Sequence, residues 1–292
     1  MNSTTRLLSG LLATRLLVAE ASAQTPVLRG QAVDAATGYP LPYASVGVLH
    51  RPAGTVANGE GNFALAVPGQ YDADSLRVSL VGYHSYTATV AQFRQRLCGA
   101  ERACPVALKA STELAEVVVR PRGWAVRRVL GNTVATPGVA QRFADNVLGN
   151  QVGQRIRSKY TAMLEQVSFK ISSCTYDSLF YRLNVYQLGP DGQPDERRNL
   201  LPEAVYVRVA KAQTATRICM DLSRYQLWLA PRQEVAVCLE LVRNLGPGKL
   251  WFAATFPYGG PVFEKDAGVS GEWRRVGAFG AVLSVIVTQI RP

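Results

Sequence analysis

The sequence predicts an all-β protein built from two sandwiches, the second jelly-roll-like. Three observations predict it. Short segments alternate apolar and polar residues, the period that turns one face of a strand toward a core. Glycine, proline and asparagine punctuate them every ~8–12 residues, a spacing that suits sandwiches. No apolar run reaches the ~18–20 residues of a membrane-spanning helix, and 292 residues are enough for two ordinary domains.

The chain opens with an export-like leader. Arg6 gives a positive start, Leu7 to Val18 is mostly apolar, and Ala21-Ser22-Ala23 has the small-x-small cleavage pattern. Residues 1–23 are therefore read as a signal peptide, although Arg15 and Glu20 interrupt the pattern. A cytosolic N-terminus is the alternative. Cleavage removes two cations and one anion, which takes the formal charge from +11 to +10. The expected location is the periplasm, the outer membrane or the medium.

From residue 24 to 110 the text is strand-like. Val27 to Asp34 reads as a first strand, ended by the turn Ala35-Ala36-Thr37-Gly38. Pro40 and Pro42 hold an extended segment at an edge or outside a ladder. Tyr43 to Leu49, Asn62 to Val67, Ser75 to Val81 and Ser85 to Val90 read as further strands, with Asn58-Gly59-Glu60-Gly61 as a tight turn.

The run Gly30-x-x-Val33-Asp34-x-x-Thr37-Gly38-x-Pro40-Leu41-x-x-Ala44-x-Val46 resembles the opening of the carboxypeptidase regulatory-like family. Gly54-Thr55, then Gly61-Asn62-Phe63-x-Leu65, then Leu76-x-Val78-Ser79-x-Val81-Gly82-Tyr83 continue it in the family's order. Ala57-Asn58 stands where the family usually has Thr-Asp; Asn still caps the turn. The resemblance covers roughly residues 28–92 and implies a seven-stranded, transthyretin-like sandwich. It does not imply peptidase activity: the family is an accessory domain, and no H-x-x-E or H-E-x-x-H occurs.

Residues 111–150 read as a linker, with a short basic helix expected from Trp124 to Leu130. Within it Glu116-Val117-Val118-Val119 resembles the stretch that follows the same domain in outer-membrane, TonB-dependent transporters, where strand addition captures a partner. A linker strand packed on the next domain is the alternative. Length excludes a complete transporter.

Residues 151–292 resume the strand text. Thr161 to Ser172, Leu179 to Leu188, Ala204 to Val209, Thr216 to Leu222, Tyr225 to Ala230, Glu234 to Val242, Leu250 to Phe256 and Gly277 to Ile290 read as strands. Phe180-x-Arg182-Leu183-Asn184-Val185-Tyr186, Asn199-Leu200-Leu201, Asp221-Leu222-Ser223-x-Tyr225 and Glu240-Leu241-Val242 resemble a C-terminal region of Bacteroidetes envelope proteins that begin with the same regulatory-like domain. That resemblance imports no activity.

A basic exported protein meets anionic surfaces, acidic polysaccharides or acidic partners. Its cations are scattered singly or in pairs such as Arg127-Arg128 and Arg274-Arg275, without a nucleic-acid motif. Cys98 and Cys104 bracket a short polar loop that a disulfide would close, and two of Cys174, Cys219 and Cys238 could pair. No C-x-x-C occurs and only two His exist, so neither a metal nor another cofactor is expected.

No residue set supports catalysis. His50 and His84 lack a nucleophile context, nothing puts two of Asp177, Asp221 and Glu240 at a catalytic separation, and Asp221 and Glu240 read as turn anchors or partners of Arg. The acidic loop Asp191-Gly192-Gln193-Pro194-Asp195-Glu196 reads as a solvated hairpin tip, and Trp228 and Trp251 as core rings. Trp273, flanked by Arg274 and Arg275, is the surface ring expected to bind, with Tyr258 as a second aromatic. The expected function is a non-catalytic envelope module that docks on an outer-membrane protein or an anionic surface. The alternative is a carbohydrate-binding module that uses the C-terminal sandwich to hold a polysaccharide.

Overall fold

The computed structural model describes residues 25–96, 104–111, 123–143, 147–214, 216–267 and 271–292. The expected leader, the segment Glu116, Val117, Val118 and Val119, and Cys98 lie outside the described residues.

In the N-terminal half, strands β1 (Val27–Asp34), β4 (Asn62–Ala66) and β7 (Cys104–Leu108) form one sheet in the order β4-β1-β7. Strands β2 (Ser45–Val48), β3 (Gly54–Val56), β5 (Ser75–Ser79) and β6 (Tyr86–Thr89) form a second, in the order β3-β2-β5-β6. Alternation decides what meets between them. Leu28, Phe63, Leu65, Val106 and Leu108 of the first sheet bury against Val46, Val48, Leu76 and Val78 of the second. Helix α1 (Val90–Arg96) adds Val90 and Phe93 to the same core. Gly61 turns at φ +75°, where a Cβ would stand 2.6 Å from the Ala32 carbonyl oxygen. The described strands of this half make the two-sheeted sandwich that the resemblance implies.

The C-terminal half is one strongly bent strand network. Its main path runs β13 (Pro194–Asn199), β12 (Ser178–Leu188), β17 (Glu234–Leu241), β10 (Gln151–Arg157), β18 (Leu250–Lys265), β11 (Thr161–Cys174), β20 (Leu283–Arg291) and β8 (Trp124–Gly131). Strands β9 (Ala140–Phe143), β14 (Val205–Ala210), β15 (Arg217–Asp221), β16 (Leu227–Leu229) and β19 (Trp273–Ala281) pair off this path. β11 and β18 are long enough to pass from one layer to the other, and both shift register on the way. Such bulges let a strand turn a corner without giving up its ladder. The enclosed core holds Phe169, Tyr181, Leu183, Val237, Leu239, Phe252 and Val285.

Several local expectations change. Trp124–Gly131 is a strand, not a helix, and pairs antiparallel with β20 along its whole length. Its side chains are mostly exposed, so the ladder of β20, not a buried face, decides its conformation. Tyr258-Gly259-Gly260-Pro261, whose glycines and proline are turn signals in the sequence, is the bulged middle of β18. Gly277 to Ile290 divides into β19 and β20. Trp228 and Trp251 are half-buried on the outer sides of their strands, because Leu227, Leu229, Leu250 and Phe252 take the inward phase. Cys174, Cys219 and Cys238 are free thiols, so the expected pairing among them is absent. Cys104 is buried and its thiol donates to the Arg96 carbonyl at 3.0 Å.

β12 and β17 are buried on both faces. Leu179, Tyr181, Leu183 and Val185 point into the core, and Phe180, Arg182, Asn184 and Tyr186 point to the other side. On that side Gly153 of β10 leaves the space that Cys238 fills; a Cβ at Gly153 would stand 2.2 Å from its Sγ. Gly153→Ala is expected to lower stability by about 1–3 kcal/mol, the cost of overpacking a filled site. A urea unfolding curve with an unchanged midpoint would contradict this packing account.

Candidate functional site

The four-stranded sheet of the first sandwich faces the outer side of β12, β17 and β10. A cleft of about 1450 Å³ runs between them. Its walls and floor come from both sandwiches and include Arg77, Glu196, Lys265, Trp273, Arg182 and Glu240.

Register builds the floor. Arg182 on β12 lies opposite Glu240 on β17, Glu240 opposite Gln151 on β10, and Gln151 opposite Lys265 on β18. Trp273 on β19 lies opposite Lys265 and ends this rung. Adjacent strands sit ~4.8 Å apart, so side chains of one rung on one face touch.

Arg182 is buried and fully engaged. Its Nε and Nη2 donate to Glu240 Oε2 at 3.1 and 2.8 Å. Its Nη1 donates to the Tyr43 carbonyl at 2.8 Å, and Nη2 also reaches the Ser45 hydroxyl. The Ser45 hydroxyl donates to Glu240 Oε1 at 3.1 Å, and the Asn184 amide donates to Oε2 at 2.8 Å. One ion pair thus joins both sandwiches. Tyr43 takes φ 60°, a left-handed conformation that is costly for a residue with a Cβ. Its ring packs on Phe180, with centroids 5.0 Å apart, and Tyr206 donates to the Pro42 carbonyl at 3.3 Å. Burial works against the Arg182 charge, but the Glu240 carboxylate outweighs it and raises the pKa.

A second ion cluster forms the wall. Arg77 of β5 donates to Glu196 Oε2 at 2.7 Å, and Lys265 binds the other carboxylate oxygen. Glu196 is therefore not part of a solvated hairpin tip. Only the turn behaves that way, where Asp191 Oδ1 accepts from the Gln193 amide at 2.9 Å. Burial pushes the Glu196 carboxyl up, but Lys265 and Arg77 outweigh it, so its pKa lies below the ordinary 4.5. Burial first, then the charges of Glu240 and Glu196, hold the Tyr186 phenol well above its usual range. Burial and the same two carboxylates hold the Cys238 thiol up. Both stay protonated and neither is an activated nucleophile.

The expected binding residues separate. Trp273 lies on the cleft wall, edge-on to Tyr186 and Phe263 at 6.1 and 6.4 Å between centroids, and its Nε1 has no hydrogen-bond partner. Arg274 pairs with Glu264 at 3.2 Å, and Arg275 donates to the Gly192 carbonyl at 3.0 Å. Tyr258 sits far along the same hairpin, opposite Ala278, so it does not join Trp273 in one platform. His50 is exposed, 3.9 Å from Glu272, and His84 is exposed. Asp221 anchors a turn through the Ser223 amide at 2.9 Å. Among the described residues no group of three His, Cys, Asp or Glu side chains is placed to hold a metal. Among them, too, no helix is long and apolar enough to cross a membrane.

Sequence reading missed Arg77, Arg182 and Glu196 as members of one site. A signal existed in part. Arg182 and Asn184 share parity inside an otherwise apolar strand, and Glu240 stands between Leu239 and Leu241. Charges in such positions need buried partners.

Arg182→Ala leaves Glu240 buried without its cation and is expected to cost about 3–5 kcal/mol, whereas the double change Arg182→Met with Glu240→Leu costs less. Urea unfolding of the three proteins measures this, and a double variant as unstable as the single one contradicts it. Glu196 has a folded pKa below its unfolded value. Its contribution is therefore full above pH ~4.5 and is lost as pH falls through the folded pKa. Glu196→Gln is expected to flatten the fall in melting temperature between about pH 5 and pH 3. An unchanged slope would mean that the cluster contributes nothing to stability.

Comparison with known proteins agrees with the N-terminal fold. No curated protein matches the sequence. A chain in the structure of infectious bursal disease virus Gx strain is similar over 90% of this chain and 55% of its own, at 12% identity and a TM-score of 0.25. One in the structure of the Gt strain is similar over 91% and 64%, at 12% identity and a TM-score of 0.24. The chain thus spans under two thirds of either, and likeness this faint carries no argument about fold or function. Residues 28–119 match the family described as CarboxypepD_reg-like domain. That match supports a carboxypeptidase regulatory-like domain in this region of the chain, a domain family that is not catalytic.

Proposed function

We propose that the chain is a non-catalytic, exported module of the cell envelope that binds an outer-membrane protein or an anionic surface. The observation that carries this reading is how the charges are used. Those in the cleft are spent on one another: Arg182 on Glu240, and Arg77 and Lys265 on Glu196. Cations on the outside, such as Arg128, Arg208, Arg232 and Arg243, are exposed. With a formal charge of +11, or +10 once residues 1–23 are removed, the surface favours anionic partners. The leader-like residues 1–23 and the Bacteroidetes resemblance of the second half support an envelope location.

The test is retrieval of the tagged chain from the envelope fraction of its own host, at low and high salt, with companions identified by mass spectrometry and sugar analysis. A stoichiometric protein that survives high salt supports docking. Loss of every companion at high salt reduces the association to charge alone.

One observation favours a carbohydrate-binding second reading. Trp273 lines the cleft, half-buried, so an aromatic ring stands where a sugar face could meet it. Under this reading Trp273→Ala abolishes retention of the chain by polysaccharide in affinity electrophoresis while its protein companions remain. Equal retention of both proteins would rule the cleft out.

A further inference from the structure

Three segments that meet at one end of the second sandwich carry no charged residue. Residues 129–141, 250–263 and 276–290 contain no Asp, Glu, Lys or Arg, in a chain of which 18% is charged. These segments are distant in sequence and meet in space. The Thr136 amide donates to the Ala254 carbonyl at 2.9 Å, and the Phe256 amide donates to the Thr136 hydroxyl at 3.1 Å. The buried Asn132 amide group donates to the Gly280 carbonyl at 2.8 Å, and its oxygen accepts from the Thr255 hydroxyl at 3.0 Å.

On this frame Phe256 and Phe279 project into solvent, 47% and 43% exposed, with ring centroids 4.8 Å apart. Val134 is 65% exposed, and Pro137 and Pro257 are exposed beside it. The apolar surface is therefore held in place by hydrogen bonds, the innermost of them the buried Asn132 to Gly280, and left open to water.

Cations stand behind it. Lys170 on β11 lies directly opposite Arg217 on β15, and both are exposed. Like charges in facing positions repel. Arg217 donates to the Thr133 carbonyl at 3.1 Å, and the Lys170 amide donates to the Val282 carbonyl at 3.1 Å, which places both at the rim of the uncharged end. Among the described residues neither forms an ion pair.

We infer that this end docks on an anionic lipid bilayer. Phe256 and Phe279 enter the boundary between headgroups and acyl chains, and Lys170 and Arg217 meet the lipid phosphates. An uncharged tip enters without stripping any ion of water. The rim cations gain from the negative surface potential, and their mutual repulsion is relieved. The inference rests on the anionic-surface reading above and names the source of the anions.

Flotation of the full chain with vesicles tests it. The chain is expected to float with equimolar phosphatidylglycerol and phosphatidylcholine, and weakly with phosphatidylcholine alone. The double variant F256S/F279S is expected to bind anionic vesicles at least about tenfold more weakly. K170E is expected to weaken binding to anionic vesicles and leave phosphatidylcholine unaffected. These side chains are exposed, so the melting temperatures should match the parent's. Should the double variant fold poorly, F256W serves instead, and its emission should shift to shorter wavelength on anionic vesicles. Failure of the parent chain to float, equal flotation of F256S/F279S, or an unshifted F256W emission would each overturn the inference. If the chain fails to float but keeps a salt-resistant envelope companion, the lipid inference falls and the interaction-module reading stands. If it binds neither, both fall.

Discussion

The structure depends on one buried ion pair. Arg182 and Glu240 stand side by side on adjacent strands, and both are almost wholly buried. Such a pair is costly to bury and holds only when its remaining donors and acceptors are met. Here Ser45 and the Tyr43 carbonyl from the first sandwich, and Asn184 from the second, meet them. The requirement runs both ways. The charges need the first sandwich in place, and the first sandwich finds its position by supplying what the charges lack. A merely apolar seam would tolerate sliding, because burial of area has no direction. Fixed hydrogen bonds to a planar guanidinium do not slide.

This arrangement also explains why β12 and β17 are buried on both faces. Their inward residues build a core of their own, and their outward residues form the floor of a seam. Gly153 belongs to the same logic. By omitting a side chain it lets Cys238 lie flat in the rung beside Phe263, so the floor stays level enough for a second sheet to approach. The Glu196 cluster holds the seam a second time, further out, with one cation from each sandwich on a single carboxylate.

The two ends of the second sandwich then divide the chemistry. Near the seam, polar groups are numerous and the charged ones are paired with each other. At the far end, three uncharged segments join through Asn132, Thr136 and Thr255 and present two rings to solvent. Most of a folded protein's polar surface is unremarkable in composition, so a large uncharged tip with exposed aromatic rings is the informative departure. It gives the chain a direction: one side is committed to internal assembly and the other is open.

The sequence by itself determined β1, β2, β4, β5 and β6 of the first sandwich, the resemblance to the regulatory-like family and most of the strands of the second, but neither β3 nor β7. Alternation over Val27 to Asp34 or Asn62 to Val67 is local, and each residue's side follows from its neighbours two places away. It also read Glu240 and Asp221 as turn anchors or partners of Arg, and the structure makes the first an arginine partner and the second a turn anchor. What it left open was everything that depends on register between distant strands. Trp124 to Leu130 has no decisive period of its own, and only the edge of β20 makes it a strand. Trp251 and Trp228 alternate correctly, but alternation alone does not say which phase faces the core, and the leucines beside them took it. The rung that brings Arg182, Glu240, Gln151 and Lys265 together spans residues 151 to 265. No local pattern encodes it, because a one-residue slip in any ladder would scatter these side chains to opposite faces. Tertiary packing chose the register, and with it the cleft, the seam and the uncharged tip.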